Sequence, residues 1–154
     1  DEGYRPIAIV RRDDQKDLLK NAGAAHVLNA SSPGFTDELK GVLKAEQPRI
    51  FLDAVTGPLA GEIFAAMPKR ARWIVYGRLD THATPIPEPG QLIFMHKRIE
   101  GFWLTDWMRS TPLERKIATI REAQMRFKDG RWSTDVNAVV QLGDAMEKVP
   151  GDGM

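Results

Sequence analysis

Residues 5–30 read RPIAIVRRDDQKDLLKNAGAAHVLNA, and this stretch decides the fold. Pro6 to Val10 is a short apolar run with β-branched residues at three positions, the composition of a buried strand. Asp13 and Asp14 supply a helix start with early negative charge. Leu18, Leu19 and Ala22 give that helix an apolar stripe, and Gly23 stands where a helix needs a left-handed residue to end. Ala25 to Asn29, centred on Val27 and Leu28, is a second strand.

The same rhythm continues outward. Ser31 to Gly34 punctuate the chain. A helix follows from Thr36 with Leu39, Val42 and Leu43 on one face. Arg49 to Val55 is a third strand, broken by Gly57 and Pro58. Leu59 to Met67 is a third helix, closed by Pro68. Ala71 to Tyr76 is a fourth strand, ended by Gly77. Thr81 to Gly90 is a loop, with Pro85, Pro87, Pro89 and Gly90. A short helix is expected over Gln91 to Lys97 and a fifth strand over Ile99 to Leu104. The longest helix is expected over Pro112 to Phe127, with Ile117, Ile120, Ala123 and Phe127 at helical spacing. The tail from Trp132 carries a short apolar stretch (Val136, Val139, Val140, Leu142) and finishes in Pro150 to Gly153. Alternating strands and helices with short connections predict an α/β fold around a parallel sheet. Continuous apolar strands agree, because such sheets are covered on both faces.

Composition narrows the function. The 154 residues carry 22 Lys+Arg against 21 Asp+Glu, and 42% of them are apolar. This is ordinary globular composition, with too little charge excess to keep the chain unfolded. No apolar run is long enough to span a bilayer, so no membrane partner is expected. Cysteine is absent, which removes disulfides, thiolate nucleophiles and Cys-ligated zinc. With no apolar or Arg-rich leader in these residues, a cytoplasmic location is expected. Neither a phosphate-binding Gly-x-x-x-x-Gly-Lys-Ser/Thr loop nor a Gly-x-Ser-x-Gly elbow occurs. His26, His82 and His96 are too dispersed for a zinc site and read as surface or edge residues. Two basic-aromatic clusters, Lys69-Arg70-Arg72-Trp73 and Lys97-Arg98-Phe102-Trp103, could suggest nucleic acid. The balanced charge, and aromatics lying on predicted strands, favour a charged loop beside a buried strand, so no nucleic-acid partner is expected.

In open parallel sheets, ligands bind at the carboxyl ends of the strands. Those ends carry Val10-Arg11-Arg12, Asp53 to Gly57, Tyr76-Gly77-Arg78 and Phe102 to Thr105. The Arg pair is the most informative feature. In dinucleotide-binding folds an acid at that strand end accepts from the ribose hydroxyls of NAD, whereas a basic residue suits NADP. Val10 takes the place of the acid, and guanidinium forks match a phosphate dianion. The plainer reading is an exposed Arg pair balanced by Asp13 and Asp14.

Several of these segments resemble the cofactor domain of medium-chain dehydrogenase/reductases: residues 10–28, Phe51 to Gly57, and Ile74 to Gly77. Residues 92–107, LIFMHKRIEGFWLTDW, are similar to the zinc-independent branch that contains quinone oxidoreductases and 2-enoyl thioester reductases. The resemblance covers nearly the whole chain. It implies a Rossmann-like doubly wound parallel sheet over 1–154, incomplete because the first strand and its Gly-rich turn are absent, as is the catalytic domain. It implies Arg11 and Arg12 near the adenosine 2′-phosphate, Val55 and Gly57 bordering the adenosine and its ribose, and Tyr76 and Gly77 beside the nicotinamide ribose. Phe102, Trp103 and Leu104 would run along the nicotinamide; Trp103 could equally be a core strand aromatic. The implied cofactor is NADP, and the implied activity is hydride transfer from its reduced form, NADPH, to a small-molecule substrate, an activated double bond or a quinone, by a homodimer. The catalytic residues would lie outside this chain, which alone is expected to be inactive. The alternatives are a zinc-dependent alcohol dehydrogenase and a non-catalytic nucleotide-binding or interaction module.

The resemblance also poses a structural question. In the strand order 3-2-1-4-5-6 the first strand is central. Its absence would separate the strands at Pro6–Val10 and Arg49–Val55 and expose two rows of backbone groups. Those strands could close on each other, a second copy could fill the gap, or a preceding segment could belong there.

Overall fold

The computed structural model describes residues 3–134, 136 and 139–144. The chain divides into two compact units, Asp1–Ser110 and Thr111–Met154. In the first, β1 (Ile7–Val10), α1 (Asp14–Asn21), β2 (His26–Asn29), α2 (Phe35–Glu46), β3 (Ile50–Asp53), α3 (Pro58–Ala66) and β4 (Arg72–Val75) follow the expected alternation, and α4 (Gly90–Phe94) and β5 (Arg98–Gly101) complete the strands. All pairing is parallel.

The strands form two sheets, β1-β2 and β3-β4-β5. The gap is not closed by β1 and β3. Instead a cleft of about 920 Å³ lies between them, walled by Ile7 and Ile9 on one side and by Ile50, Phe51 and Leu52 on the other. The sheets are held together by the helices. Leu28 of β2, Phe35, Leu39 and Leu43 of α2, Ile63 and Phe64 of α3 and Trp73 of β4 form one continuous buried cluster. Because α2 and α3 share this cluster with strands of both sheets, removal of their contact area from water ties the halves together.

Three expectations change. Parallel strands covered on both faces do not hold for β3: Phe51 stacks on Trp73 with ring centroids 5.8 Å apart, but Ile50 and Leu52, alternating to the other face, are 51% and 63% exposed. The stripe of α1 is not buried either; Leu18 is exposed, and no residue of that helix is buried. Thirdly, the fifth strand ends early. The amide of Phe102 still donates to Val75 O at 2.8 Å, but the chain then turns, and Leu104 opens a helix, α5 (Leu104–Ser110), that the apolar Phe-Trp-Leu run concealed.

In the second unit, among the described residues, α6 (Leu113–Lys128) is followed by a 3-10 turn at Leu142–Asp144. Its Ile117, Ile120 and Phe127 keep helical spacing yet are exposed. Phe127 meets Trp132 edge-on at 5.7 Å. Of the predicted apolar tail, Val136 and Val139 are exposed; the ending Pro150 to Gly153 lies outside the described residues.

Candidate cofactor-binding site

The carboxyl ends of β1, β3 and β4 are shaped by one buried acid. Asp53 closes β3 and is 5% exposed. Its Oδ1 accepts from the amides of Val55 and Thr56, both at 2.9 Å, and its Oδ2 accepts from the indole Nε1 of Trp73 at 2.9 Å. The carboxylate thus bends the chain directly after the strand, by the Asx-turn geometry that Asp favours. It also locks that bend to the core through Trp73. Sequence reading quoted Asp53 within its strand and gave it no role; Asp53 at a strand end, three residues before Thr56-Gly57-Pro58, signals the turn but not the bond to Trp73.

The bend presents Val55, Thr56 and Gly57 at the edge. Gly57 has φ +81°, a conformation that side chains rarely adopt. A Cβ there would also collide with the Asp80 carboxylate. The loop after β4 is therefore laid directly onto this turn. Tyr76, Leu79 and Asp80 amides donate to Asp53 O, Ala54 O and Val55 O at 2.9, 3.2 and 2.8 Å, and Gly57 N donates to Thr84 Oγ1 at 2.9 Å. Gly77 lies beneath, where a Cβ would stand 2.7 Å from Ala54 O. Tyr76 is 53% exposed beside it.

The two arginines after β1 diverge. Arg12 turns to α1, its Nε donating to Asp14 Oδ1 at 3.1 Å. Arg11 extends toward the β3 side, its guanidinium 4.0 Å from Asp80 Oδ2. Asp13 does not balance the pair; its Oδ1 binds Lys16 Nζ at 2.7 Å and Asn29 Nδ2 at 3.0 Å. Those contacts hold the Asp13 carboxyl below the usual range. Asp80 is held low as well, chiefly by the backbone amide of His82 and then by its ring, with Arg11 a smaller contributor. No sequence feature marked Asp80.

Phe102, Trp103 and Leu104 are all exposed, Trp103 by 65%. Trp103 is not a core aromatic; the Arg109 guanidinium lies 5.9 Å from its ring. Structure thus brings Arg11, Val55 and Gly57 together with Asp80, sets Tyr76 and Gly77 on the adjoining loop, and leaves Phe102 to Leu104 at the end of β5.

Of the two basic-aromatic clusters, the second does not lie on a buried strand as expected: Phe102 and Trp103 are exposed beyond the end of β5. Trp73 is buried, which takes the aromatic out of the first basic cluster, and Arg72 is engaged by Glu100 at 2.8 and 2.7 Å. His26 bonds Glu46 at 2.7 Å and His82 bonds Asp80 at 2.7 Å. Among the described residues no three His, Cys, Asp or Glu side chains converge to hold a metal, and no helix is long and apolar enough to cross a membrane.

Parallel sheets with a glycine-shaped edge and an exposed guanidinium beside it agree with a nucleotide-cofactor fold of the Rossmann type. Residues 2–119 match the family described as zinc-binding dehydrogenase, and the chain belongs to that family, the medium-chain dehydrogenase/reductases, as part of the cofactor-binding domain. The chain is 26% identical over 155 aligned residues to the mitochondrial enoyl-[acyl-carrier-protein] reductase of Schizosaccharomyces pombe, covering 95% of this chain and 41% of that protein. A proposed NADPH:quinone reductase of Mesorhizobium loti shares 67% identity and superposes with a TM-score of 0.89 over 97% of this chain and 43% of that one. The Etr1p complex with NADP and crotonyl-CoA shares the fold, with 22% identity and a TM-score of 0.74 over 88% of this chain and 39% of that one. The chain thus spans about two fifths of the length of these proteins. Although the family is named for zinc, the donor set described above does not fit a zinc site.

Proposed function

We propose that this chain supplies cofactor contacts at both the adenosine and the nicotinamide end of an NADP(H) site in an oxidoreductase that reduces an activated double bond, such as a 2-enoyl thioester, or a quinone. The observation that carries the reading is Arg11 at the end of β1. No acid ends that strand, and the guanidinium faces the Val55–Gly57 turn, where an adenosine ribose would sit. The fit is to the adenosine end; the pyrophosphate turn is not among these residues. When bound, the cofactor supplies the hydride. The residues of the chain bind and orient it: Arg11, with Arg12 nearby, takes the 2′-phosphate by charge-assisted hydrogen bonds. Val55 and Gly57 border the adenosine ribose. Tyr76 and Gly77 flank the nicotinamide ribose, and Phe102 to Leu104 pass along the nicotinamide. The exposed Trp103 indole walls the substrate crevice.

The names of the M. loti and S. pombe proteins support the reaction class. The outer edge of β5 pairs with no strand among the described residues, and Ile99 there is 37% exposed; both support a homodimer joined along that edge. A reducing compartment such as the cytoplasm suits a chain without cysteine.

The test is tryptophan fluorescence titration of the whole natural protein with NADPH and NADH, in wild type and in Arg11→Ala/Arg12→Ala. Tighter NADPH binding that the double variant abolishes is expected. Equal affinity of wild type for both cofactors would refute the phosphate-site assignment.

A further inference from the structure

Arg11 already has a partner. Its guanidinium lies 4.0 Å from Asp80 Oδ2, and the two side chains are unequal. That of Arg11 is 73% exposed and can swing; that of Asp80 is 17% exposed and fixed. Asp80 Oδ1 accepts from the His82 amide at 2.8 Å and lies 2.7 Å from His82 Nδ1. The Asp80 amide donates to Val55 O, and the carboxylate rests on Gly57, where any Cβ would displace it. The acid therefore has no cheap way to leave.

We propose that Asp80 is a specificity-determining residue that holds Arg11 and lowers the preference of this site for a 2′-phosphorylated adenosine. The inference rests on the proposed role of Arg11 as the 2′-phosphate ligand. An acid that ends β1 would select the unphosphorylated ribose by accepting from its hydroxyl. Here the strand end is Val10, and the acid arrives instead from the loop after β4, across the edge. A 2′-phosphate seated on Arg11 shares that guanidinium with a fixed carboxylate of its own sign. Like charges so placed repel, and solvent around the exposed guanidinium screens part of that repulsion. The 2′-hydroxyl of an unphosphorylated ribose carries no charge to be repelled. The acid thus acts on one cofactor class and spares the other.

The probes are adenosine 2′,5′-bisphosphate and adenosine 5′-monophosphate, which differ by the 2′-phosphate. Their dissociation constants are measured by calorimetry on the whole natural protein. Asp80→Asn is expected to tighten the bisphosphate about fivefold, with the monophosphate changed less than twofold. In an Arg11→Ala background the gain is expected to vanish. Asp80→Ser, which also removes the charge, must act in the same direction; it serves if the Asn variant does not fold. An unchanged ratio of the two constants in the folded Asp80 variants overturns the inference. So does weaker monophosphate binding, which would make Asp80 a ribose-hydroxyl acceptor. A wild type whose ratio is unaffected by Arg11→Ala refutes the phosphate site itself and the inference with it; a ratio that responds to Arg11 but not to Asp80 refutes the inference alone.

Discussion

Lys97 is 3% exposed, and its burial makes stability depend on pH in a direction that can be worked out. Its Nζ donates to Phe64 O at 2.7 Å and Ala65 O at 3.1 Å, and to Gln91 Oε1 at 2.6 Å. The first two are carbonyls of the last turn of α3, where the negative end of the helix lies and intrahelical donors run out. Phe64 also offers its ring face at 5.1 Å. Against these attractions, burial pushes the ammonium down from 10.5 to about 8. Each tenfold is worth about 1.4 kcal/mol, so the difference comes to about 3 kcal/mol. Between pH 8 and 10.5 the unfolded lysine holds its proton while the folded one has lost it. The unfolded state binds more protons there, so stability rises with pH. The assay is urea unfolding followed by tryptophan emission, to which buried Trp73 contributes, in wild type and Lys97→Met. Subtracting the variant cancels the other groups that titrate in this range. The difference, wild type minus variant, is expected to grow by about 3 kcal/mol from pH 8 to 10.5. A flat or shrinking difference would refute the argument that a buried charge, rather than a favourable helix cap, dominates at this lysine.

Two further perturbations test the packing behind the site. Trp73→Phe keeps the ring beside Phe51 and Phe64 but leaves Asp53 Oδ2 without its donor; a loss of about 1–3 kcal/mol in urea unfolding is expected. Asp53→Asn is expected to be milder in that background than alone, because the amide no longer faces the indole N–H. Glu46 is the acid-sensitive contact: hydrogen bonds from Arg5, then His26, lower its carboxyl to about 2. Its contribution is full above the ordinary 4.5 and is lost as pH falls through about 2. The stability gap between wild type and Glu46→Gln is expected to narrow over that range in acid unfolding.

The elements up to β4 were legible because each short apolar run is bounded by Gly, Pro or Ser, and those residues act locally. Gly23 illustrates it: φ +99° directly after α1 is what its position implied. The run Gly101-Phe-Trp-Leu misled because apolar character does not distinguish a strand from a turn into a helix. The amide of Trp107 donating to Trp103 O at 3.0 Å starts α5 immediately. Asp53 and Asp80 were harder for a different reason. Asp53 works through Trp73, and Asp80 through Arg11 and Gly57, partners far away in sequence. No local pattern encodes such contacts; they exist only once β1, β3 and β4 lie with their carboxyl ends at one edge.

That edge is where the open gap acquires meaning. Arg11 belongs to the β1-β2 sheet, while Val55, Gly57 and Asp80 belong to the loops of the β3-β4-β5 sheet. The candidate phosphate site is therefore assembled across the cleft. Helices α2 and α3 carry much of the buried cluster that joins the two sheets, so the edge separation rests on their packing and on rim contacts such as Arg11 with Asp80. An ion pair with an exposed guanidinium is weak, typically worth no more than about 1 kcal/mol. It cannot by itself set the distance between two sheets. The buried cluster from Leu28 through Phe35 and Phe64 to Trp73 must do so. The geometry of the adenosine site therefore depends on the core beneath it as well as on the residues that would touch the cofactor. Asp53, bonded at once to the Val55–Thr56 turn and to Trp73, is the residue through which that core reaches the edge.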